Sequence, residues 1–553
     1  MSTAPSETLA PLEELRDAVR SAAAAVRGSA GETTVQPKLE RPKRAGQGDY
    51  ATNAAMLLAP VLGAPPAKIA ALVAEELERQ LGESLDRTEV AGPGFLNLFM
   101  SDAWHRRALA SVLGAGQRFG AGHEGPPERI LIEFVSANPT GPLVAASGRH
   151  AAYGDSLARI LEHQGHAVSR EYYFNDAGSQ VRLLGESVQA RARGEPPPEQ
   201  GYQGEYVAEL AASMPDAASA PVDAVAARAV EALLAQIKAT LERYGVRYDT
   251  FFSERQLHTG SPSPLDRALE MLQEAGHLYR SEGALWLRTT TFGDDKDRVV
   301  VRSNGEPTYF AADLAYMLNK RERGFERLLY PLGADHHVYV RELKAAMAAL
   351  GGDPDMIEAP ILQFVHLVEG GGRAAMSKRR ATFVTLDDLL DEIGVDATRY
   401  FMLQRSHDRT LDLDLDLARR ESAENPVYYV QYAHARIASM LRRVGEERLV
   451  DNALISGAEV GSGTLHEPER ALIQKLVEFP DEVAEAGSRR APHRLAAYAL
   501  ELAQEFTAFY RDCRVIGSSP EAVESFRIAL SAAAGRVIAL SLGLLGVSAP
   551  QSM

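Results

Sequence analysis

Residues 129–155 constrain the fold of this chain more than any other segment, because they read as a buried strand, a turn and a helix. The apolar first part fits the interior of a parallel sheet, and prolines and a glycine within 139–142 end the strand. A helical pattern then runs over Gly148–Gln164, and Gly165 stops it. Ligands of open α/β folds bind beyond the carboxyl ends of the strands, where the amides of a helix N-terminus favour anionic groups. The segment therefore predicts an α/β fold with a site for nucleotide phosphates at this edge of the sheet.

The composition limits the class of protein. A chain of 553 residues, 45% hydrophobic and 24% charged, predicts an ordinary globular protein with several domains. The net charge of −16 argues against indiscriminate coating of nucleic acid, but it allows a local basic face that binds one RNA. The single cysteine, Cys513, excludes an internal disulfide and indicates a cytoplasmic location. No run approaches the roughly 20 apolar residues that span a bilayer, so we expect no membrane partner.

Changes in sequence pattern predict three domains. Residues 1–120 mix helices with short strands and read as a small α+β domain. Residues 128–395 alternate strands and helices, as a parallel sheet requires, with a helical insertion at about 181–260. Two strand-like pieces within 285–302 are expected to rejoin that sheet. Residues 396–553 contain only helical patterns, with proline near several helix starts, and predict an antiparallel bundle.

Two groups of polar residues lie where such a fold binds ligands. Glu133, Ser136 and Asn138 follow the first strand of the sheet and can converge on one ligand, although a capping turn before a helix would use the same residue types. Tyr309 and Asp313 are one turn apart at a predicted helix start. An acid in a first helical turn also simply suits the helix dipole. Neither group is specific when taken alone.

A basic loop forms the third group. Residues 373–380 read Arg-Ala-Ala-Met-Ser-Lys-Arg-Arg and follow three glycines. We expect this loop to close as a lid over phosphates, and the alternative is a solvated basic hairpin.

Together the three groups resemble bacterial arginyl-tRNA synthetases, which are class I enzymes. The similarity rests on Ile132–Leu143, Gly148–Arg149, Met376–Arg379 and Phe383–Leu386. Further segments follow in the family's order: Gly48–Asn53, Gly94–Asn97, Tyr173–Gly178, Gly293–Arg298, Gly333–His337, Asn425–Arg436 and Gly546–Met553. The resemblance implies a Rossmann-like parallel-sheet catalytic domain, an N-terminal α+β domain that contacts tRNA, and a C-terminal all-α helical bundle that binds the anticodon.

The resemblance also implies the activity. An arginine–tRNA ligase uses ATP to convert L-arginine into arginyl adenylate and pyrophosphate, and then passes the arginyl group to tRNA(Arg). ATP enters as its Mg²⁺ complex, no tightly bound protein metal is expected, and we expect a monomer. Arginine presents a planar guanidinium with five donors, which calls for carboxylates and a phenol in fixed geometry.

Site residues follow from their positions in the family's motifs. The resemblance assigns arginine binding to Glu133, Ser136, Asn138, Tyr309 and Asp313; ATP binding to Gly148, His336, His337, Met376, Ser377 and Lys378; catalysis to Lys378, Arg149 and Ser147; and tRNA binding to Asn97, Tyr429, Tyr432 and Arg436. Within these sets the acids and Tyr309 match the guanidinium contacts. Lys378 is expected to neutralise the charge that develops on pyrophosphate.

The sequence departs from the family pattern at the centre of the chemistry. Val144–Ser147 stands where a His-x-Gly-His tetrad is usual, so both imidazoles are missing. Ala375 replaces the first lysine of the mobile loop, and Met317 stands where a histidine is common. Losing one preorganised donor costs about 3 to 4 kcal/mol in comparable sites. The groups that can compensate are Ser147, the helix N-terminal amides, Arg149, His150, His336 and His337.

The altered tetrad keeps two other hypotheses open. A non-catalytic paralogue that binds tRNA or arginine, as a regulator or accessory subunit, would retain binding residues and lose catalytic donors. An adenylate-forming ligase for another cationic amino acid would discriminate poorly between arginine and lysine at Glu133 and Asp313.

Overall fold

The computed structural model of this protein describes residues 11–31, 36–42, 44, 46–122, 125–336, 338–373, 384–445, 451–460 and 463–553. It confirms the predicted fold class, since an α/β part with a parallel sheet lies between an α+β part and a helical part.

The N-terminal part packs helices against one antiparallel sheet. Its elements are α1 (Pro11–Arg27), β1 (Leu39–Glu40), β2 (Tyr50–Thr52), α2 (Ala54–Leu62), α3 (Pro66–Leu81), β3 (Leu85–Ala91), β4 (Phe95–Met100) and α4 (Asp102–Ala115). The strands lie in the order β1-β2-β4-β3. Alternate residues of β4 (Leu96, Leu98 and Met100) are buried in the core, as the two-residue period of a strand requires.

The central part is built on a five-stranded parallel sheet. Its elements as far as the sheet's last strand are β5 (Arg129–Glu133), α5 (Ser147–His163), β6 (Ala167–Phe174), α6 (Ser179–Ala192), α7 (Glu205–Ser213), α8 (Val222–Arg243), β7 (Thr250–Ser253), α9 (Arg255–His258), α10 (Pro264–Glu274), β8 (Leu278–Ser281), β9 (Ala284–Leu287), β10 (Arg298–Val301), α11 (Tyr309–Glu322), β11 (Arg327–Leu329), β12 (Leu332–Gly333), α12 (Tyr339–Ala349) and β13 (Ile357–Glu358). The strand order β13-β11-β5-β6-β7 puts β5 in the middle. The carboxyl end of β5 therefore lies at the centre of the edge where ligands bind.

Three predicted features differ from the structure. Residues 396–553 were predicted to be helical throughout, but Leu411–Asp414 is a strand that pairs in parallel with Val365–Glu369. The helical insertion consists of α6, α7 and α8 and ends earlier than expected, because β7 already pairs in parallel with β6. The strand-like pieces within 285–302 do not rejoin the parallel sheet. They form β9 and β10 of a separate antiparallel sheet with β8, since β8 and β9 make a hairpin across Glu282 and Gly283 and β10 pairs with the other edge of β9.

The chain then leaves the sheet and ends in helices. These elements are β14 (Ile361–Leu362), β15 (Val365–Glu369), β16 (Gly372–Arg373), α13 (Leu386–Leu403), β17 (Leu411–Asp414), α14 (Leu415–Ala418), α15 (Pro426–Val444), α16 (Asp451–Val460), α17 (Glu467–Val477), α18 (Phe479–Ser488), α19 (His493–Asp512) and α20 (Glu521–Leu545). Among the described helices, α20 has the length and apolar composition to cross a bilayer, and the bent pair α2 and α3 would be a second candidate. The apolar window of α20 is 72% buried within the protein, as is usual for the core helix of a bundle.

Buried polar contacts join α5 to the C-terminal helices. Arg399 on α13 is fully buried and pairs with Asp155 on α5 at 2.6 Å. The same guanidinium donates to the carbonyl of Leu545 at the end of α20, 2.9 Å away. Two residues earlier on α5, the Tyr153 hydroxyl donates to the carbonyl of Arg490, 2.6 Å away. The helix that begins at the ligand edge of the sheet is therefore anchored to the bundle.

Gly154 lets α5 approach the sheet closely. A Cβ atom at this position would lie 2.3 Å from the ring of Phe134, which is buried directly after β5. We expect Gly154→Ala to destabilise the protein by about 2 kcal/mol, because overpacking outweighs the gain in helix propensity. Gly114→Ala in α4 is the matched control, since a Cβ there meets nothing within 4 Å. Chemical denaturation compares the two variants, and equal stabilities would contradict the expected steric conflict.

Candidate active site

A strained turn places the first polar group at the end of β5. Glu133 is the last residue of this strand, and Val135 and Ser136 follow with φ values of 67° and 43°. Such left-handed conformations cost about 1–3 kcal/mol for residues other than glycine and persist where the surrounding structure holds them. The Ser136 hydroxyl donates to Glu133 at 3.1 Å and accepts from the amide of Tyr173 at 3.1 Å. The turn thereby orients both side chains at the ligand edge.

The second oxygen of Glu133 is already paired. Lys320 on α11 places its Nζ 2.5 Å from Glu133 Oε2 and 3.1 Å from the hydroxyl of Tyr330. The Lys320 side chain is fully buried. Burial lowers the pKa of Lys320, but Glu133 and the other acids around it raise that pKa overall. Sequence reasoning left Glu133 free for a substrate guanidinium, whereas the structure gives its carboxylate two protein partners.

Asp313 is the second acid of this pocket. It lies on α11, seven residues before Lys320 and so on the same face of the helix. The Tyr339 hydroxyl donates to its carboxylate. Burial raises the pKa of Asp313 to about 7, and the nearby charges of Glu133 and Glu254 contribute in the same direction. A cation that enters beside Asp313 would favour the ionised form of this group.

Glu254 also lies in this pocket, although the sequence did not predict it as a site residue. It lies between β7 and α9, and it accepts a hydrogen bond of 2.6 Å from the Tyr173 hydroxyl. Its charge acts on both Tyr173 and Asp313, which places the three side chains together. The available signal was its position, because Glu254 directly follows a parallel strand, as Glu133 does. No motif surrounds it.

Tyr309 and Asn138 line a cavity of about 170 Å³ next to the acidic group. Tyr309 is the first residue of α11 and is 64% exposed, one turn from Asp313. Asn138 accepts from the amide of Asn175 at 3.2 Å and donates to Gln180 at 3.1 Å. One helical turn therefore connects this cavity to the acids of the pocket.

The start of α5 is held close to the segment that follows the basic loop. Ala145 donates to the carbonyl of Val384 at 2.9 Å, and the amide of Leu386 donates to the carbonyl of Leu143 at 2.8 Å. Gly148 is buried, and a Cβ there would lie 2.9 Å from the Leu386 side chain. Ser147, the first residue of α5, is half-buried beside it.

Arg149 was expected to act in catalysis, but its side chain is bound to the protein backbone. Its buried guanidinium donates to the carbonyls of Gln363 at 2.7 Å and Ser406 at 2.9 Å. Burial lowers the pKa of Arg149 to about 10. The expectation of a catalytic arginine is corrected here, since the motif position supplies an arginine that ties together segments after β14 and α13.

The predicted histidines lie around the neighbouring strand ends. His150 Nδ1 is 3.4 Å from the carbonyl of Pro331, and burial lowers the pKa of His150 to about 4. His336 is exposed, with Nε2 3.5 Å from Asp335. His337, Met376, Ser377 and Lys378 lie outside the described residues. Within the described ranges, no group of three or more His, Cys, Asp or Glu side chains is arranged to hold a metal ion.

The residues expected to contact tRNA differ in exposure. Asn97 on β4 is only 6% exposed, whereas its neighbour Phe95 is 37% exposed. On α15, Tyr432 is 42% exposed and accepts a hydrogen bond of 2.9 Å from Arg436. Tyr429 is half-buried. A stacking surface is thus open at Tyr432 and Arg436 but not at Asn97.

Three family models match successive parts of the chain. Residues 13–100 match "Arginyl tRNA synthetase N terminal domain", residues 109–438 match "tRNA synthetases class I (R), catalytic domain", and residues 430–553 match "DALR anticodon binding domain". The catalytic model alone covers more than half of the chain.

Similar proteins agree with these models. An arginine–tRNA ligase from Frankia alni is 47% identical over 527 residues, which cover 93% of this chain and 94% of that protein. An arginine–tRNA ligase from Kineococcus radiotolerans is 44% identical and covers 98% of both chains. The solved arginyl-tRNA synthetase of Thermus thermophilus has the same fold, with a TM-score of 0.75 at 24% identity over 98% of this chain and 100% of that chain. The chain therefore belongs to the class I arginyl-tRNA synthetase family.

Proposed function

We propose that this chain is an arginine–tRNA ligase that activates L-arginine with ATP, supplied as its Mg²⁺ complex, and transfers the arginyl group to tRNA(Arg). One observation carries the proposal. The charges of Glu133 and Glu254 both act on the buried carboxylate of Asp313 at the carboxyl edge of the parallel sheet, and the buried ammonium of Lys320 pairs with Glu133. Three carboxylates with one ammonium among them leave negative charge for a cationic ligand, and carboxylates with unused lone pairs suit a planar guanidinium with several donors.

The proposed guanidinium contacts are Asp313, Glu254 and Tyr309. The first two carboxylates have tyrosine hydroxyls as partners and keep lone pairs for further donors. Tyr309 offers an exposed phenol at the mouth of the pocket. Glu133 contributes charge and a remaining lone pair beside Lys320. Ser136 and Asn138, at the turn after β5, are placed to meet the α-amino and carboxyl groups of arginine.

The proposed ATP site lies at the N-terminus of α5. The dipole of this helix end favours phosphate charge and the Ser147 hydroxyl can donate to phosphates, whereas the amide of Gly148 already donates to the Ala145 carbonyl at 3.0 Å. His336, His337, Met376, Ser377 and Lys378 complete the set that the family motifs assign. The backbone pairing of residues 143–145 with 384–386 supports this placement, because it holds the segment that follows the basic loop beside α5.

The proposed tRNA contacts occupy the two outer domains. We assign residues 1–120 to tRNA contact, 128–395 to catalysis and 396–553 to anticodon binding. Tyr432 and Arg436 form an exposed pair, with the guanidinium 4.8 Å from the ring, and can stack on bases. Tyr429 supports that pair from a half-buried position. Asn97 is too buried for a base contact as it stands, so Phe95 takes that role on β4. The enzyme works as a monomer in the cytoplasm, without a membrane partner.

An aminoacylation assay tests the proposal. Purified protein, ATP and tRNA(Arg) should yield charged tRNA with arginine, and lysine should be used with kcat/KM lower by roughly 10⁴, because it leaves paired acids unsatisfied. The altered tetrad at Val144–Ser147 motivates the second candidate, a non-catalytic paralogue. Binding of arginine and tRNA without charged product would support that candidate. Equal charging with lysine would instead indicate a ligase for another cationic amino acid.

A further inference from the structure

We infer that Lys320 is a positioning residue for arginine recognition, because its ammonium fixes the Glu133 carboxylate at the end of β5 and sets the net charge of the acidic pocket. The inference rests on the proposed function, since it presupposes that this pocket binds arginine. Lys320 itself touches no substrate. It acts through Glu133 and through the charge that it presents to Asp313.

The surroundings of Lys320 define one place for its ammonium. Nζ lies 3.8 Å from the ring centre of Tyr316 and 4.4 Å from that of Tyr330. It also donates to the Tyr330 hydroxyl and to Glu133. A buried ammonium needs such partners, because burial without them would cost several kcal/mol. The two aromatic faces exclude water and leave Glu133 as the anionic partner in direct contact.

The positive charge of Lys320 lowers the pKa of Asp313. The groups that act on Asp313 come from every element around it: Glu133 on β5, Tyr173 on β6, Glu254 after β7, Lys320 on α11, Tyr330 after β11 and Tyr339 on α12. The acids raise the pKa of Asp313 and Lys320 lowers it. Without Lys320, three carboxylates would share one pocket, and Asp313 would stay protonated to higher pH.

A second ion pair on the same helix provides the matched control. Arg323 pairs with the fully buried carboxylate of Glu171 through two hydrogen bonds of 2.5 and 2.8 Å. The Tyr316 hydroxyl also donates to Glu171. Removing Arg323 disturbs an ion pair of the same kind one turn away, but it leaves the contact between Lys320 and Glu133 in place. Because Glu171 also acts on the ammonium of Lys320, this variant reports on a change in neighbouring charge that keeps the contact between Lys320 and Glu133.

The experiment compares Lys320→Met, Lys320→Arg and Arg323→Met with the full-length wild type. Steady-state aminoacylation gives KM for arginine and for ATP at a series of pH values from about 6 to 9. For Lys320→Met we expect KM for arginine to rise about tenfold at neutral pH with KM for ATP unchanged, and the acid limb of kcat/KM to move up by roughly half a pH unit. Lys320→Arg should restore most of the arginine KM, since it keeps the positive charge.

The outcomes separate this inference from the proposed function. A wild type that attaches no arginine to tRNA(Arg) would overturn the proposed function. Suppose instead that the wild type attaches arginine to tRNA, and that Lys320→Met has the same acid limb of kcat/KM and the same KM for arginine as Arg323→Met. That result would overturn only the inference about Lys320. Should Lys320→Met fail to fold, the double variant Glu133→Gln with Lys320→Met removes both charges and keeps the shape. That variant should show a raised arginine KM, and an unchanged KM would overturn the inference.

Discussion

Asp313→Asn is expected to lower kcat/KM for arginine roughly a thousandfold, equivalent to about 4 kcal/mol. Asp313 accepts a hydrogen bond from the Tyr339 hydroxyl and, unlike Glu133, has no ion-pair partner among the contacts that the structure describes. The asparagine keeps the shape but removes the charge that would pair with the guanidinium. Aminoacylation at saturating ATP and tRNA measures the loss.

Glu322→Gln is the control for this change. Glu322 ends the same helix, and its exposed carboxylate pairs with Arg267 at 3.1 Å. An exposed ion pair of this kind contributes at most about 1 kcal/mol to stability, so activity should stay within twofold of the wild type. If Asp313→Asn retains more than a tenth of the wild-type kcat/KM, Asp313 does not hold the guanidinium.

The pH dependence gives an independent readout of the same residue. Burial raises the pKa of Asp313 to about 7. The carboxylate is ionised above that pH and arginine binds the ionised form, so kcat/KM for arginine should fall as the pH drops below about 7 and level off above it. Asp313→Asn should lose this acid limb. An acid limb that persists in the variant would assign it to another group.

Local sequence pattern was sufficient where near neighbours decide the structure. The predicted helix Gly148–Gln164 is observed as α5, Ser147–His163, because its apolar period is local and Gly165 follows its last residues. The strand before it and the helical C-terminal part were predicted for the same reason. The antiparallel sheet of β8, β9 and β10 was not predicted, since short apolar strands carry no sign of which sheet they join.

Contacts between distant segments decided the site, and the sequence does not carry them. Glu133 and Lys320 are 187 positions apart, so the pairing that occupies Glu133 has no local signature. Arg149 sits in a recognisable motif, but its carbonyl partners come from segments more than 200 residues away. Glu254 lies in no motif and became visible only when β7 was placed beside β6. Motifs predicted which residue types matter and not which of them remain free.

The second large effect is expected for Lys378→Ala, which should lower kcat by a factor of about 10² to 10³ and leave KM for arginine nearly unchanged. Lys378 is the only lysine in the basic loop 373–380, and both tetrad imidazoles are absent from Val144–Ser147. With those donors missing, more of the charge on the departing pyrophosphate depends on this one ammonium. Single-turnover charging of tRNA measures the chemical step directly.

Lys344→Ala is the matched control, because Lys344 on α12 is assigned to no ligand and pairs with Asp355 at 3.4 Å. Its kcat should equal that of the wild type. The arginine pocket lies on β5, α11 and the end of β7, so a loop residue that acts on phosphates should change kcat without changing arginine affinity. A Lys378→Ala kcat within threefold of the wild type would mean that Arg379, Arg380 or the groups around α5 neutralise pyrophosphate instead.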